Sequence, residues 1–238
     1  LYAYALETFD FEPDQIQGTL SNCIILHTNT TLLRKIFVHE GWNWPSMNLD
    51  LVPNDINSAL SSLSNPTGAL VKDQTTFSTY TTSTSSWVGT LSILGPTSLY
   101  QYKSLVKDSI SIIGHYIDPT TRNIALHSGW NWIGYIPTQS LSVNEALTTV
   151  NASNGDIIKS QLQFAQFLNG VGWIGNLKTM NAPNGYLLLL HDDATLTYPD
   201  PLNFRGEIES GSRNVIVPNY TGLTEVNSTS REELPFEK

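Results

Sequence analysis

At 238 residues, with 40% hydrophobic and only 14% charged side chains, the chain can bury one large core or two modules of about 90 residues each. Its net charge of −9, with 12 scattered Lys and Arg, excludes the clustered basic surface that nucleic-acid binding requires. Cys23 is the single cysteine, so neither an intramolecular disulfide nor a cysteine-based zinc site can form, and no apolar run reaches the ~18 residues of a membrane-spanning helix.

The elements read in chain order fall into a repeat. All six tryptophans occur in register-matched pairs: Trp42 with Trp130 and Trp44 with Trp132, each 88 apart, and Trp87 with Trp173, 86 apart. The first two pairs lie in identical tetrapeptides, Gly41-Trp42-Asn43-Trp44 and Gly129-Trp130-Asn131-Trp132. Asn57, Lys72, Gln74, Phe77 and Tyr100 are answered by Asn144, Lys159, Gln161, Phe164 and Tyr186. A residue present in both copies usually belongs to the framework.

Residues 1–33 resemble the closing part of a preceding module, because Leu26-His27 followed by Thr31-Leu32 echoes Leu190-His191 followed by Thr195-Leu196. The first module is expected over 34–113 and the second over 114–203. In each, an apolar alternation (Ile36-Phe37-Val38, Ile124-Ala125-Leu126) leads through His39 or His127 into the tetrapeptide, which should continue as a strand. A short helix comes next. In the second copy Ser142 and Glu145 make a capping box, and Val143, Ala146, Leu147 and Val150 fall on one apolar stripe. In the first, Asn54 or Asp55 can cap Ile56, Ala59, Leu60 and Leu63. Asp156 to Phe164 reads as a strand, as do the segments around Trp173, Tyr186–Leu190 and Thr195–Tyr198. Residues 204–238 read as a linker or the start of a following unit. The fold class expected is therefore mainly β (α+β): tandem β-rich modules, each with one short helix packed on an antiparallel sheet.

The histidines give no catalytic constellation. His39 pairs with His127 and His27 with His191 across the repeat, and a duplicated site without a nucleophile or acid beside it is a poor active site. His115 stands near Asp118-Pro119, where a turn is expected. Asp192-Asp193 reads as a β-turn rather than as part of a glycosidase carboxylate pair. Asn154-Gly155-Asp156 lacks the alternating acids of a calcium loop. The six tryptophans, Trp42, Trp44, Trp87, Trp130, Trp132 and Trp173, are taken as the structural repeat core. One tryptophan of each tetrapeptide is expected to point inward and its companion to face a neighbouring module, a loop or solvent. Asn29, Asn151, Asn219 and Asn227 stand in Asn-x-Ser/Thr sequons and are candidate glycosylation sites.

The segments Ile124–Tyr135, Gly155–Gln161, Phe164-Ala165, Gly172–Gly175 and Thr195–Pro199 resemble a Gly-Trp-Asn-Trp repeat of long secreted and cell-surface proteins, notably of Bacteroidetes. The likeness covers most of 115–199; the first copy departs from it with Pro45 in place of Ile and Asp73 in place of Ser. It implies an extracellular, multi-module surface protein and carries no catalytic residues. With no Met at Leu1 and no signal-peptide pattern, the chain looks like a segment of something longer. The expectation is a non-enzymatic stalk, fibre or adhesin scaffold with no cofactor, no metal and no membrane span. Its partners would be neighbouring modules or subunits, with glycans as a further possibility. The alternative is a carbohydrate-binding module using exposed Trp and Tyr.

Overall fold

The computed structural model describes residues 31–200. The expectations for residues 1–30 and 201–238, with the sequons at Asn29, Asn219 and Asn227 and the histidine at His27, lie outside the described residues. The described chain is mainly β, built from antiparallel sheets with two one-turn α-helices. Among these residues no helix is long and apolar enough to cross a membrane.

The first half runs β1 (Thr31–Val38), β2 (Gly41–Asn43), β3 (Asp50–Leu51), α1 (Ile56–Ala59), β4 (Leu70–Lys72), β5 (Phe77–Thr81), β6 (Ser86–Gly89), β7 (Gln101–Ser104) and β8 (Asp108–His115). The second runs β9 (Asn123–Leu126), β10 (Gly129–Gly134), β11 (Leu141–Ser142), α2 (Val143–Ala146), β12 (Ile157–Lys159), β13 (Phe164–Leu168), β14 (Gly172–Gly175), β15 (Thr179–Met180), β16 (Gly185–Leu190) and β17 (Ala194–Thr197). A five-stranded sheet of order β2-β7-β4-β5-β6 forms in the first, and one of order β10-β16-β12-β13-β14 in the second. The two orders are the same permutation of matched strands. The opening and closing strands of each half also pair, β1 with β8 and β9 with β17, so that Val38 faces Asp108 and Leu126 faces Ala194.

Each half buries its own core. One cluster draws on Ile36, Val38, Leu60, Val71, Trp87, Tyr102 and Ile110, the other on Ile124, Leu126, Leu147, Ile158, Trp173, Leu188 and Leu196. Both expected helical stripes are buried, Ile56, Ala59, Leu60 and Leu63 in one and Val143, Ala146, Leu147 and Val150 in the other. The helices themselves are four residues long. The last residues of each stripe sit on the tight turns after them, where Leu63 N donates to Leu60 O and Val150 N to Leu147 O. Capping follows the sequence: Asp55 accepts from Ser58 N, while Ser142 and Glu145 close a complete capping box.

Three expectations need correction. Asp156 to Phe164 is not one strand: β12 ends at Lys159, and Ser160 turns the chain by exchanging bonds with Gln163 before β13 begins. Asp73 does the same work in the first half, its carboxylate accepting from Thr75 N and Thr76 N at 2.8 and 2.6 Å. β1 runs through the expected boundary at 33, because Thr31 to Leu33 continue the pairing with Ile113 to His115. His115 therefore ends a strand, and the turn lies beyond it, where Asp118 Oδ1 accepts from Thr120 N at 2.9 Å. After Trp44, Pro45 has no N–H to donate, and β2 stops at Asn43 whereas β10 continues to Gly134.

Candidate functional site

The identical tetrapeptides lie on β2 and β10, the terminal strands of the two five-stranded sheets. Residues two apart on a strand share a face. Trp42 and Trp44 therefore point the same way, and it is Asn43 between them that turns into the protein; Trp130, Asn131 and Trp132 repeat this. Trp42 and Trp130 are 38% and 43% exposed, Trp44 and Trp132 are half-buried, and Asn43 and Asn131 are each 6% exposed. Trp87 and Trp173 are buried in the two cores, whereas the expectation of a tryptophan core is corrected for Trp42 and Trp130, and neither tetrapeptide sends one tryptophan inward.

The buried asparagine explains the motif. Asn43 Oδ1 accepts from His39 N at 2.9 Å while its Nδ2 donates to His39 O at 2.8 Å and Gly41 O at 3.1 Å. Asn131 makes the matching bonds to His127 N, His127 O and Gly129 O at 2.8, 2.7 and 3.1 Å. One amide thereby satisfies the backbone of the turn leading into the strand. Gly41 and Gly129 hold φ of +94° and +96° within that turn, a conformation in which a side chain is strained.

The exposed edges of β2 and β10 face each other's half and are met by matched side chains. Gln74, just past β4, donates from Nε2 to Trp130 O at 2.8 Å and accepts from Trp132 N at 2.9 Å on Oε1. Gln161, just past β12, donates to Trp42 O at 2.7 Å. The lysines two residues earlier do likewise. Lys72 Nζ lies 5.4 Å from the ring centres of both Trp42 and Trp132; Lys159 Nζ lies 5.9 and 5.8 Å from Trp44 and Trp130. Each ammonium is held between one indole of its own half and one of the other, within cation–π range.

Backbone bonds complete the joint and obey the same exchange. Gly185 N donates to Trp44 O at 2.8 Å and Leu99 N to Trp132 O at 3.3 Å; Ser46 N donates to Pro183 O at 2.7 Å and Gly134 N to Thr97 O at 2.9 Å. The chains approach so closely that a Cβ on Gly134 would stand 2.3 Å from Pro96 O, and one on Gly185 would stand 2.5 Å from Leu99 Cδ1. Ser46, fully buried, accepts from Tyr135 N and donates to Asn184 O across the joint. At the opposite sheet edges, Asn57 Oδ1 accepts from Trp87 N at 2.7 Å and Asn144 Oδ1 from Trp173 N at 2.8 Å. These bonds cover strand edges that would otherwise invite pairing.

A shallow groove beside the joint is lined by Leu70, Lys72, Asp73, Gln74, Phe77 and Trp132. Of the tyrosines considered for sugar binding, Tyr100, Tyr102, Tyr135, Tyr186 and Tyr198 are buried. Burial raises the Tyr186 hydroxyl to about 12 and keeps Tyr198 well above the ordinary phenol value. The histidines scatter: His39 Nδ1 contacts Glu40 O, and His127 is exposed 4.0 Å from Asp193. His191 Nδ1 lies 2.5 Å from Asp156, whose carboxylate is almost wholly buried and also accepts from Ser153 N and His191 N. The loop weighed for calcium thus has its carboxylate oxygens engaged by the protein. The sequon residue Asn151 is exposed.

Sequence reasoning matched Asn57, Lys72, Gln74 and their counterparts across the repeat without assigning them roles, and it overlooked Asn43 and Asn131 inside the motif. Their duplication was the available signal. Comparison with family models, curated proteins and solved structures finds no match for this chain.

Proposed function

We propose that this chain is a non-catalytic structural or adhesive segment of a long extracellular protein, made of two tandem β-rich modules locked together at a tryptophan-lined joint. One observation carries the reading: the matched polar side chains are spent on the protein's own backbone. Asn43 and Asn131 hold the turns, Asn57 and Asn144 cover outer edges, and Gln74 and Gln161 hold the other half's strand. What the repeat preserves is thus a way of folding and joining. The extracellular assignment draws on low charge, abundant Ser, Thr and Asn, the exposed Asn151 sequon and the resemblance of the second copy to surface-protein repeats.

A second reading, carbohydrate binding, is favoured by the exposure of Trp42 and Trp130 on the same outward sheet faces as Phe77 and Phe164, which are 53% and 54% exposed. A glycan array on the full chain separates the two. The structural reading expects no reproducible binding to a defined sugar. Binding that disappears in Trp42→Ala or Trp130→Ala, with the fold retained, would replace it with the lectin-like reading.

A further inference from the structure

We infer that the joint is a self-complementary recognition surface whose partner is another copy of the same repeat, and that it accepts one partner only. The inference rests on the two halves being tandem modules. Each carries a reader, the Lys that ends its third sheet strand and the Gln just past it, and a target, the backbone and rings of its Gly-Trp-Asn-Trp segment. Gln74 of the first reads Trp130 and Trp132 of the second, and Gln161 of the second reads Trp42 of the first. Lys72 and Lys159 exchange in the same sense. The backbone bonds also come in exchanged pairs, Trp44 O with Gly185 N and Trp132 O with Leu99 N.

A contact in which one surface meets itself through a two-fold exchange closes on itself, whereas a head-to-tail contact leaves a free surface at each end and propagates. Within this pair both readers and both targets are engaged, so no matching surface remains for a third repeat. Filament growth through this joint is therefore excluded, and a run of such repeats is organised in pairs. The intramolecular pair wins at ordinary concentrations because residues 116–122 are the only link between β8 and β9. A short link gives its partner a high effective concentration. A repeat without an in-chain partner keeps its reader and target free and takes a second unpaired copy from another chain.

Parity supplies the test. The full chain, the chain with one further copy of residues 114–203 inserted after 203, and the chain with two such copies are sized by light scattering. The expected states are monomer, dimer and monomer. In the three-copy chain, Lys→Ala and Gln→Ala at the positions of the added copy matching Lys159 and Gln161 should weaken the dimer about tenfold or more. Hydrogen exchange should show that the added copy keeps its own fold. A three-copy chain that stays monomeric, with its added copy folded or unfolded, overturns the inference. So does a four-copy chain that dimerises equally well, or a dimer indifferent to the reader substitutions. None of these results touches the structural reading, which fails instead on sugar binding.

Discussion

The two halves share a strand order but fill their cores differently, and the difference separates framework from local solution. Three residues past the second tryptophan of the motif stands Met47 in the first half and Tyr135 in the second; Ile112 on the closing strand of the first is matched by Tyr198, just past the closing strand of the second. Tyr135, Tyr186 and Tyr198 pack edge to face, with Tyr135 at 6.3 Å from Tyr186 and 5.2 Å from Tyr198. Each buried hydroxyl then needs a partner: Tyr198 donates to Gly134 O at 2.9 Å and Tyr135 to Gln139 O at 2.7 Å. Ala69 and Leu105 of the first half are replaced in the second by Asp156 and His191, which pair. At these places the second half buries polar atoms in satisfied sets, whereas the first half fills them with Met47, Ile112, Ala69 and Leu105. The residues that do not vary between halves include the asparagines and glutamines that bond backbone at the turns, edges and joint, and core residues such as Leu60 and Leu147 or Trp87 and Trp173.

The largest expected effect tests what the halves have in common. Trp87 and Trp173 are buried at matched places, each edge to face with one neighbouring ring at least, Tyr80 for one and Phe167 for the other. Replacing either with Ala should cost about 3–5 kcal/mol in denaturant unfolding, with similar losses in both halves. Trp42→Ala and Trp130→Ala should cost far less, on the order of 1 kcal/mol, because these rings are partly exposed and lose mainly a cation–π contact. Equal losses at all four positions would erase the distinction between core and joint.

A medium effect separates the halves. Asp156→Ala strips a buried acceptor from His191 N, Ser153 N and the imidazole, and should cost about 1.5–3 kcal/mol. Adding His191→Leu, which reproduces the Ala69–Leu105 arrangement, should recover part of that loss. No recovery would show that the two halves are not interchangeable at this place. The converse graft is Asn48→Ile. Asn48 is 1% exposed with neither amide atom bonded, and Ile136 occupies the same distance past the motif in the second half. Removing an unsatisfied buried amide should raise stability by about 1 kcal/mol, read as a shift in denaturant midpoint at constant slope.

The helix caps give the smallest effect. Ser142→Ala should cost about 1 kcal/mol. The Asp55 carboxyl, bonded by Ser58, and the Glu145 carboxyl, bonded by Ser142, are both held below their usual range. A carboxyl lowered on folding contributes above its unfolded value and loses that contribution as pH falls through the folded value. Melting temperature should therefore decline below about pH 4.5 in the parent, and less steeply in Glu145→Gln.

Much of this organisation was legible in the sequence. Duplicated spacing predicted a mainly β chain with matched elements, and the stripe with its capping box located both helices. What stayed hidden depends on partners distant in sequence. Nothing local reveals that Gln74 meets a strand 56 residues onward or that Gln161 meets one 119 residues back. The tryptophans misled because large aromatics are usually buried, yet alternation within Trp-Asn-Trp already put both rings on one face and Asn on the other. The turn at Ser160 was missed because a hydroxyl that bends the chain looks the same in sequence as one on a strand's exposed face.

Each half's matched glutamine holds the other half's tryptophan strand. Amide hydrogen exchange at Trp132 in the full-length Gln74→Ala chain measures it directly, since Gln74 Oε1 is the acceptor of that N–H. Loss of a bond worth about 1 kcal/mol predicts exchange roughly fivefold faster at Trp132, with Trp173, capped by Asn144 in the same half, unchanged. Unaltered exchange at Trp132, or the same acceleration at Trp173, would contradict the account.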